Sequence, residues 1–189
     1  MEIKKRASSS ETRGKILETA DRLFYEHGIK SVGIDTIIAE SGVAKMSLYK
    51  HFSSKENLAI EFLNNRDKAF FDFFEKTLDN HNSKNPILDF FKYITNSLCN
   101  NETICCPFLN VSVEFPEIDN PIHKTILEHK TKIKNKLEAT LKKMSLDDVE
   151  IKADHIILLW HGLIMNKKIF GNNYNTKNFL AFIEEITYK

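Results

Sequence analysis

The chain has 189 residues, 42% apolar and 28% charged, which is ordinary for a folded globular protein and excludes wholesale disorder. Six Gly and four Pro argue against a turn-rich β-sandwich and favour long helices, while a net charge of +1 names no partner. The three cysteines, Cys99, Cys105 and Cys106, are an odd, clustered set, a poor disulfide framework that points to a reducing compartment.

Ser8 and Glu11 stand three apart before a helical stripe of Ile16, Leu17, Ala20, Leu23 and Phe24, so a capped helix is expected, ending at Gly28. A short second helix over 34–40 turns Ile34, Ile37 and Ile38 inward, and Ser41-Gly42-Val43 breaks it. A third helix over 44–52 gives Leu48 and Phe52 to the core. Two short helices about a tight glycine turn are what a helix-turn-helix needs.

The outer side of the third helix is basic and aromatic. From Val43 to Lys55 there is no Asp or Glu beside three lysines, and residues 1–55 carry ten Lys/Arg against seven Asp/Glu. An ordinary surface helix in a chain so rich in acids would carry some. Lys45, Lys50 and Lys55 can reach phosphates; Tyr49 and His51 can bond phosphates or base edges; Met46 and Ser47 let the backbone approach a major groove. Thr36 joins this candidate DNA-binding set.

Ser53 and Glu56 form a second capping pattern, opening a long helix through about Leu78 that carries Phe62, Phe70, Phe71, Phe73 and Phe74. Residues 80–85 are a polar break, Pro86 starts the helix over 87–98, and 104–115 is a shorter apolar segment. Asn120-Pro121 caps a long helix striped by Ile122, Ile126, Ile133, Leu137, Leu141 and Met144. Helices over about 151–170 and 177–187 close the chain. The reading is all-α, about nine helices, with a DNA-binding domain over 1–53 and a helical regulatory and dimerisation domain over 54–189.

Residues 156–165 are apolar around most of a helix, which suits burial against a second copy through Ile157, Leu158, Ile164, Phe179, Phe182 and Ile183. The middle of a monomeric bundle would use the same residues. That stretch is interrupted by His161 and is well short of the roughly 20 residues that span a bilayer. The chain's start has no apolar run behind its basic residues, so no secretory signal is expected, and the setting is expected to be cytoplasmic. Phe74, Phe91, Cys106, Phe108, Asn110, Glu114, Trp160 and His161 are candidates to line a small-molecule site, although plain core packing accounts for them almost as well.

No nucleophile elbow, phosphate loop or HExxH is present, so no enzyme is expected. Cys105 and Cys106 lack the CxxC spacing of zinc ligands even with His123 or His129 added, and neither metal nor cofactor is expected. A thiol switch at Cys105/Cys106 and a ligand-binding module without DNA binding are the alternatives.

The pattern Thr12-Arg13-x-x-Ile16-Leu17-x-x-Ala20-x-x-Leu23-Phe24-x-x-x-Gly28, followed by GIDTIIAESGVAKMSLYKHFSSKENL, resembles the TetR family of transcriptional regulators. Ala44 and Met46-Ser47 stand where the broad pattern often has Ser and Gly-Thr, and with CCPFLNVSVEFPEIDNPIH they resemble one subgroup. The resemblance implies a homodimer on a palindromic duplex operator, repressing until a small, mostly apolar effector binds the C-terminal domain.

Overall fold

The computed structural model describes residues 8–99 and 106–188; Cys105 and the side chain of Cys99 lie outside the described residues. Nine α-helices, one 3-10 turn and no strand occur among them. The helices are α1 (Ser9–His27), α2 (Ile34–Ser41), α3 (Lys45–His51), α4 (Lys55–Leu78), α5 (Pro86–Cys99), α6 (Pro107–Glu114), α7 (Pro121–Lys143), α8 (Val149–Phe170) and α9 (Lys177–Thr187). The 3-10 turn is Gly171–Asn173.

The starts of these helices follow from short polar side chains. Ser8 Oγ accepts from the Glu11 N–H at 3.2 Å while Glu11 Oε2 accepts from the Ser8 N–H at 2.7 Å, the reciprocal box expected for α1. Asn85 Oδ1 accepts from the Leu88 N–H at 3.0 Å before α5, and Asn120 Oδ1 from the Ile122 N–H at 2.8 Å before α7. The cap of α4 sits one residue later than the Ser53/Glu56 spacing predicted. Ser54 Oγ accepts from the Asn57 N–H at 3.0 Å, and the Asn57 side-chain carbonyl accepts from both Ser53 and Ser54 hydroxyls.

The described residues form two compact units: those up to Asp67 with Pro107–Leu127, and those from Lys68 to Cys106 with those from Glu128 onward. The first reaches past residue 53, the boundary expected from sequence. The start of α4 packs on α1, with the Phe62 ring 5.7 Å from Phe24, and the α6 carboxylate of Glu114 bonds the backbone just after α1. Its core holds Ile16, Ala20, Phe24, Ile37, Leu48 and Phe62, all buried. Of the three isoleucines expected inward on α2 only Ile37 is fully buried; Ile34 and Ile38 are half-buried, because eight residues make barely two turns with one inner line.

The second unit has an aromatic centre. Phe74, Phe90 and Phe91 are fully buried and meet the nearly buried Trp160 ring at centroid distances of 6.2, 5.4 and 5.4 Å. Each such ring contributes on the order of 1.5–3 kcal/mol by burial. Phe70, Phe71 and Phe73 are half-buried at its margin, and Met144, placed at the end of the α7 stripe by spacing, is half-buried just past the helix.

Candidate nucleic-acid interface

The turn between α2 and α3 is made by Gly42, whose φ of +66° lies in the left-handed region where a Cβ is costly. Its N–H closes α2 on the Ile38 carbonyl at 3.0 Å. The Ala44 carbonyl then accepts from Ser47 and Leu48 N–H groups at 2.8 and 3.1 Å, opening α3 without a side-chain cap. Leu48 and Phe52 anchor α3 inward, and the Arg13 guanidinium lies 5.0 Å above the Phe52 ring while pairing with Glu61 at 2.9 Å.

With that anchor the other face of α3 is presented outward. Met46 is 85% exposed and Tyr49 45% exposed, and Lys45, Lys50 and Thr36 are exposed as well. Ser47 and His51 are half-buried at its edges. A projecting, acid-free helix with ammonium and phenol groups on one side can seat in a major groove.

Two lysines have partners that the spacing did not foretell. Lys45 Nζ pairs with Asp35 Oδ1 on α2 at 3.2 Å, both side chains being well exposed, so the pair contributes little energy and opens readily. Lys55 turns inward: its ammonium donates to the Lys30 carbonyl at 3.3 Å, and burial lowers its pKa against the pull of Glu114. Its role in the free protein is to close the loop after α1.

The candidate ligand-lining residues separate into groups. Phe74, Phe91 and Trp160 are brought together in the aromatic centre. Cys106 and His161 meet through Lys130, a residue missed from sequence: its ammonium lies 3.6 Å from Cys106 Sγ and donates to His161 Nε2 at 3.1 Å. Lys130 and the buried His129 interrupt the apolar α7 stripe between Ile126 and Ile133, and that interruption was the legible signal. Burial, and then the Lys130 charge, push His161 down to about 4, so its imidazole is neutral and accepts through Nε2.

Phe108, Asn110 and Glu114 belong to the other unit. Phe108 is buried there and Asn110 half-buried. Glu114 accepts from the backbone N–H groups of Ile29 and Lys30 at 3.2 and 2.6 Å, a structural task. Among the described residues no group of three or more His, Cys, Asp or Glu is gathered to hold a metal ion; His123 Nδ1 instead bonds the Phe115 carbonyl at 2.8 Å.

The six dimerisation candidates divide by facing. Leu158 and Phe182 are 67% and 53% exposed, and Ile157 is half-buried. Ile164, Phe179 and Ile183 are buried within their own unit, and Phe179 nevertheless lines one groove with Leu158 and Phe182. Ile151 and Met165, seven residues either side of Leu158, are also exposed and were missed. No described helix is long and apolar enough to cross a membrane.

Residues 16–62 match the family model of bacterial regulatory proteins, tetR family. The chain is 50% identical over 58 residues to the HTH-type transcriptional regulator LmrA of Bacillus subtilis, a match covering 30% of this chain and 31% of that protein. It is 38% identical over 81 residues to the uncharacterized HTH-type transcriptional regulator YxaF of the same species, covering 42% and 41%. These matched stretches span less than half of either relative. Over nearly the full length the fold resembles that of SCO4454, a TetR-family transcriptional regulator from Streptomyces coelicolor, with a TM-score of 0.83 at 27% identity covering 94% of this chain and 95% of that one. E. coli NemR in its reduced form has the same fold at a TM-score of 0.83 and 20% identity, covering 92% of this chain and 95% of that one. The chain thus matches the tetR family model across its helix-turn-helix and is similar in fold, over nearly its whole length, to a TetR-family transcriptional regulator.

Proposed function

We propose that this protein is a ligand-responsive DNA-binding repressor. Two copies bind a palindromic duplex operator and release it when a small, mostly apolar effector occupies the second unit. One observation carries the reading. The α3 face bearing Lys45, Met46, Tyr49 and Lys50 is exposed and free of acids, while Leu48 beneath it is fully buried. A helix held that way positions side chains for phosphate and base contacts.

The second copy is argued from α8 and α9. Ile151, Leu158 and Met165 recur every seven residues on one face of α8, and with Phe182 they leave an apolar stripe in water. A two-fold pairing would cover it and set two α3 helices about 34–36 Å apart, one duplex turn. Thr36, Ser47, His51 and Lys55 complete the proposed DNA-contacting set, with Lys55 offering a phosphate contact once DNA draws it from the Lys30 carbonyl. Phe74, Phe91, Cys106, Trp160 and His161, all in the second unit, remain the proposed effector-facing set, while Glu114 is better used as a backbone clasp.

A thiol switch is the second reading, favoured by the Cys106–Lys130 contact. A mobility-shift titration on the DNA upstream of the protein's own gene tests the main reading. Nanomolar, salt-dependent binding by a dimer is expected; no binding above that to unrelated DNA sinks it. Release by mild peroxide with rescue by thiol would favour the second reading.

A further inference from the structure

Lys130 presents a charge problem. Its ammonium is half-buried, and its partners among the described residues are a thiol and a neutral imidazole, not a carboxylate. Since Lys130 must donate to His161 Nε2, the imidazole proton sits on Nδ1, and that N–H has no acceptor among the described residues. The ammonium itself has three N–H donors and uses two. On the same turn of α8, the nearly buried Trp160 has an indole N–H with no acceptor among the described residues. The two helices face each other here, since the Phe70 ring lies 5.3 Å from His129, the neighbour of Lys130, and 5.8 Å from Trp160.

The Lys130 ammonium and the His161 Nδ1–H are both donors with capacity to spare, and one carries a positive charge. The species that answers both is a negative acceptor, and a carboxylate is the smallest common organic group of that kind. The half-buried rings of Phe70 and Phe71, 5.2 Å apart edge to face, lie 5.3 and 5.7 Å from His129, the chain neighbour of Lys130, and offer apolar surface but no acceptor. We propose that Lys130 and His161 are the anion-recognising end of a ligand site, and that the ligand is a small organic carboxylate whose apolar body lies against these phenylalanines. The inference rests on the effector-binding part of the proposed function and names the chemical class of the effector. It narrows a mostly apolar ligand to an amphiphilic one.

Trp160 is the single tryptophan, so its fluorescence reports on this neighbourhood without a label. The full chain, free of DNA, is titrated with benzoate and octanoate, and with benzyl alcohol and octanol as uncharged counterparts. Saturable quenching by a carboxylate at least tenfold tighter than by its alcohol is expected. Lys130→Met should weaken carboxylate binding at least tenfold and leave alcohol binding unchanged, and Lys130→Arg should retain much of it. Equal binding of acid and alcohol by the wild-type chain overturns the proposal, whatever the variants do. So does rapid alkylation of Cys106 by iodoacetamide at pH 6, mapped by mass spectrometry, because a thiolate would then supply the missing negative charge. A mobility shift run in parallel separates the two levels: DNA binding without carboxylate binding removes this inference alone.

Discussion

Glu114 Oε2 accepts the backbone N–H of Lys30 at 2.6 Å, across 84 residues of sequence, while its other oxygen takes the Ile29 N–H at 3.2 Å. The helix that ends at Glu114 is thereby tied to the loop leading into the helix-turn-helix. Both bonds are charge-assisted, and one is partly buried. Glu114→Ala should destabilise the protein by about 1–3 kcal/mol, because two backbone donors lose their acceptor. Urea unfolding checks this; a loss below about 0.5 kcal/mol would show that water replaces the carboxylate at no cost.

Gly28 is the position that lets this carboxylate approach. Its φ is +83°, and a Cβ there would stand 2.7 Å from Glu114 Oε1. Gly28→Ala should therefore cost more than the roughly 1–2 kcal/mol of a left-handed alanine alone. Thermal unfolding of Gly28→Ala, Glu114→Ala and the double variant should show the excess vanishing when Glu114 is already gone.

On the DNA face, Tyr49→Ala and Lys45→Ala should weaken operator binding without unfolding the head, since both side chains are exposed. If Lys45 contacts a phosphate, its loss lowers the salt slope by about one. Asp35→Asn should act oppositely. Removing the carboxylate 3.2 Å from Lys45 Nζ frees that ammonium and takes a negative charge from the interface, tightening binding about two- to fivefold on the scale of an exposed pair. Mobility shifts at two salt concentrations measure both; an affinity unchanged in all three variants would remove α3 from the interface.

For assembly, Leu158→Lys and Phe182→Lys should shift the protein towards monomer in sedimentation while costing little intrinsic stability, since both side chains are exposed. They help line a groove of about 290 Å³ with Leu159, Gly162, Tyr174 and Phe179, where a partner side chain would seat. Ile183→Lys makes the contrasting control: it is fully buried, so the fold itself should fail. A dimer that survives both surface substitutions places the interface elsewhere.

Acid should weaken the second unit through His161. Its pKa is about 4 when folded against 6.5 for the free side chain, so between those values the unfolded chain binds the extra proton. The His161 contribution to stability is complete above pH 6.5 and lost as pH falls towards 4. His161→Gln, which can still accept from Lys130, should show a shallower fall of melting temperature over that window. Identical slopes would show that other groups govern acid unfolding.

Helix positions were legible because they depend on local facts. Ser8 and Asn120 can cap, Pro86 and Pro121 can begin a helix but cannot continue one, and apolar residues recur at helical spacing. The exposed face of α3 was legible for the same reason: burying Leu48 and Phe52 fixes by rotation which side chains look outward. Spacing did fail where neighbouring polar residues compete for one role, as Ser53 and Ser54 did for the α4 cap.

What the tertiary structure alone decided is which distant groups meet. Glu114 could have lined a pocket as readily as capped a loop 84 residues away, and Ile164 could have faced a partner as readily as its own core. Lys130, Cys106 and His161 are separated by 24 and 31 residues, and no periodicity within a helix encodes a contact between helices. Helical periodicity fixes the faces of each element through short-range geometry. The pairing of faces depends on the packing of the whole chain.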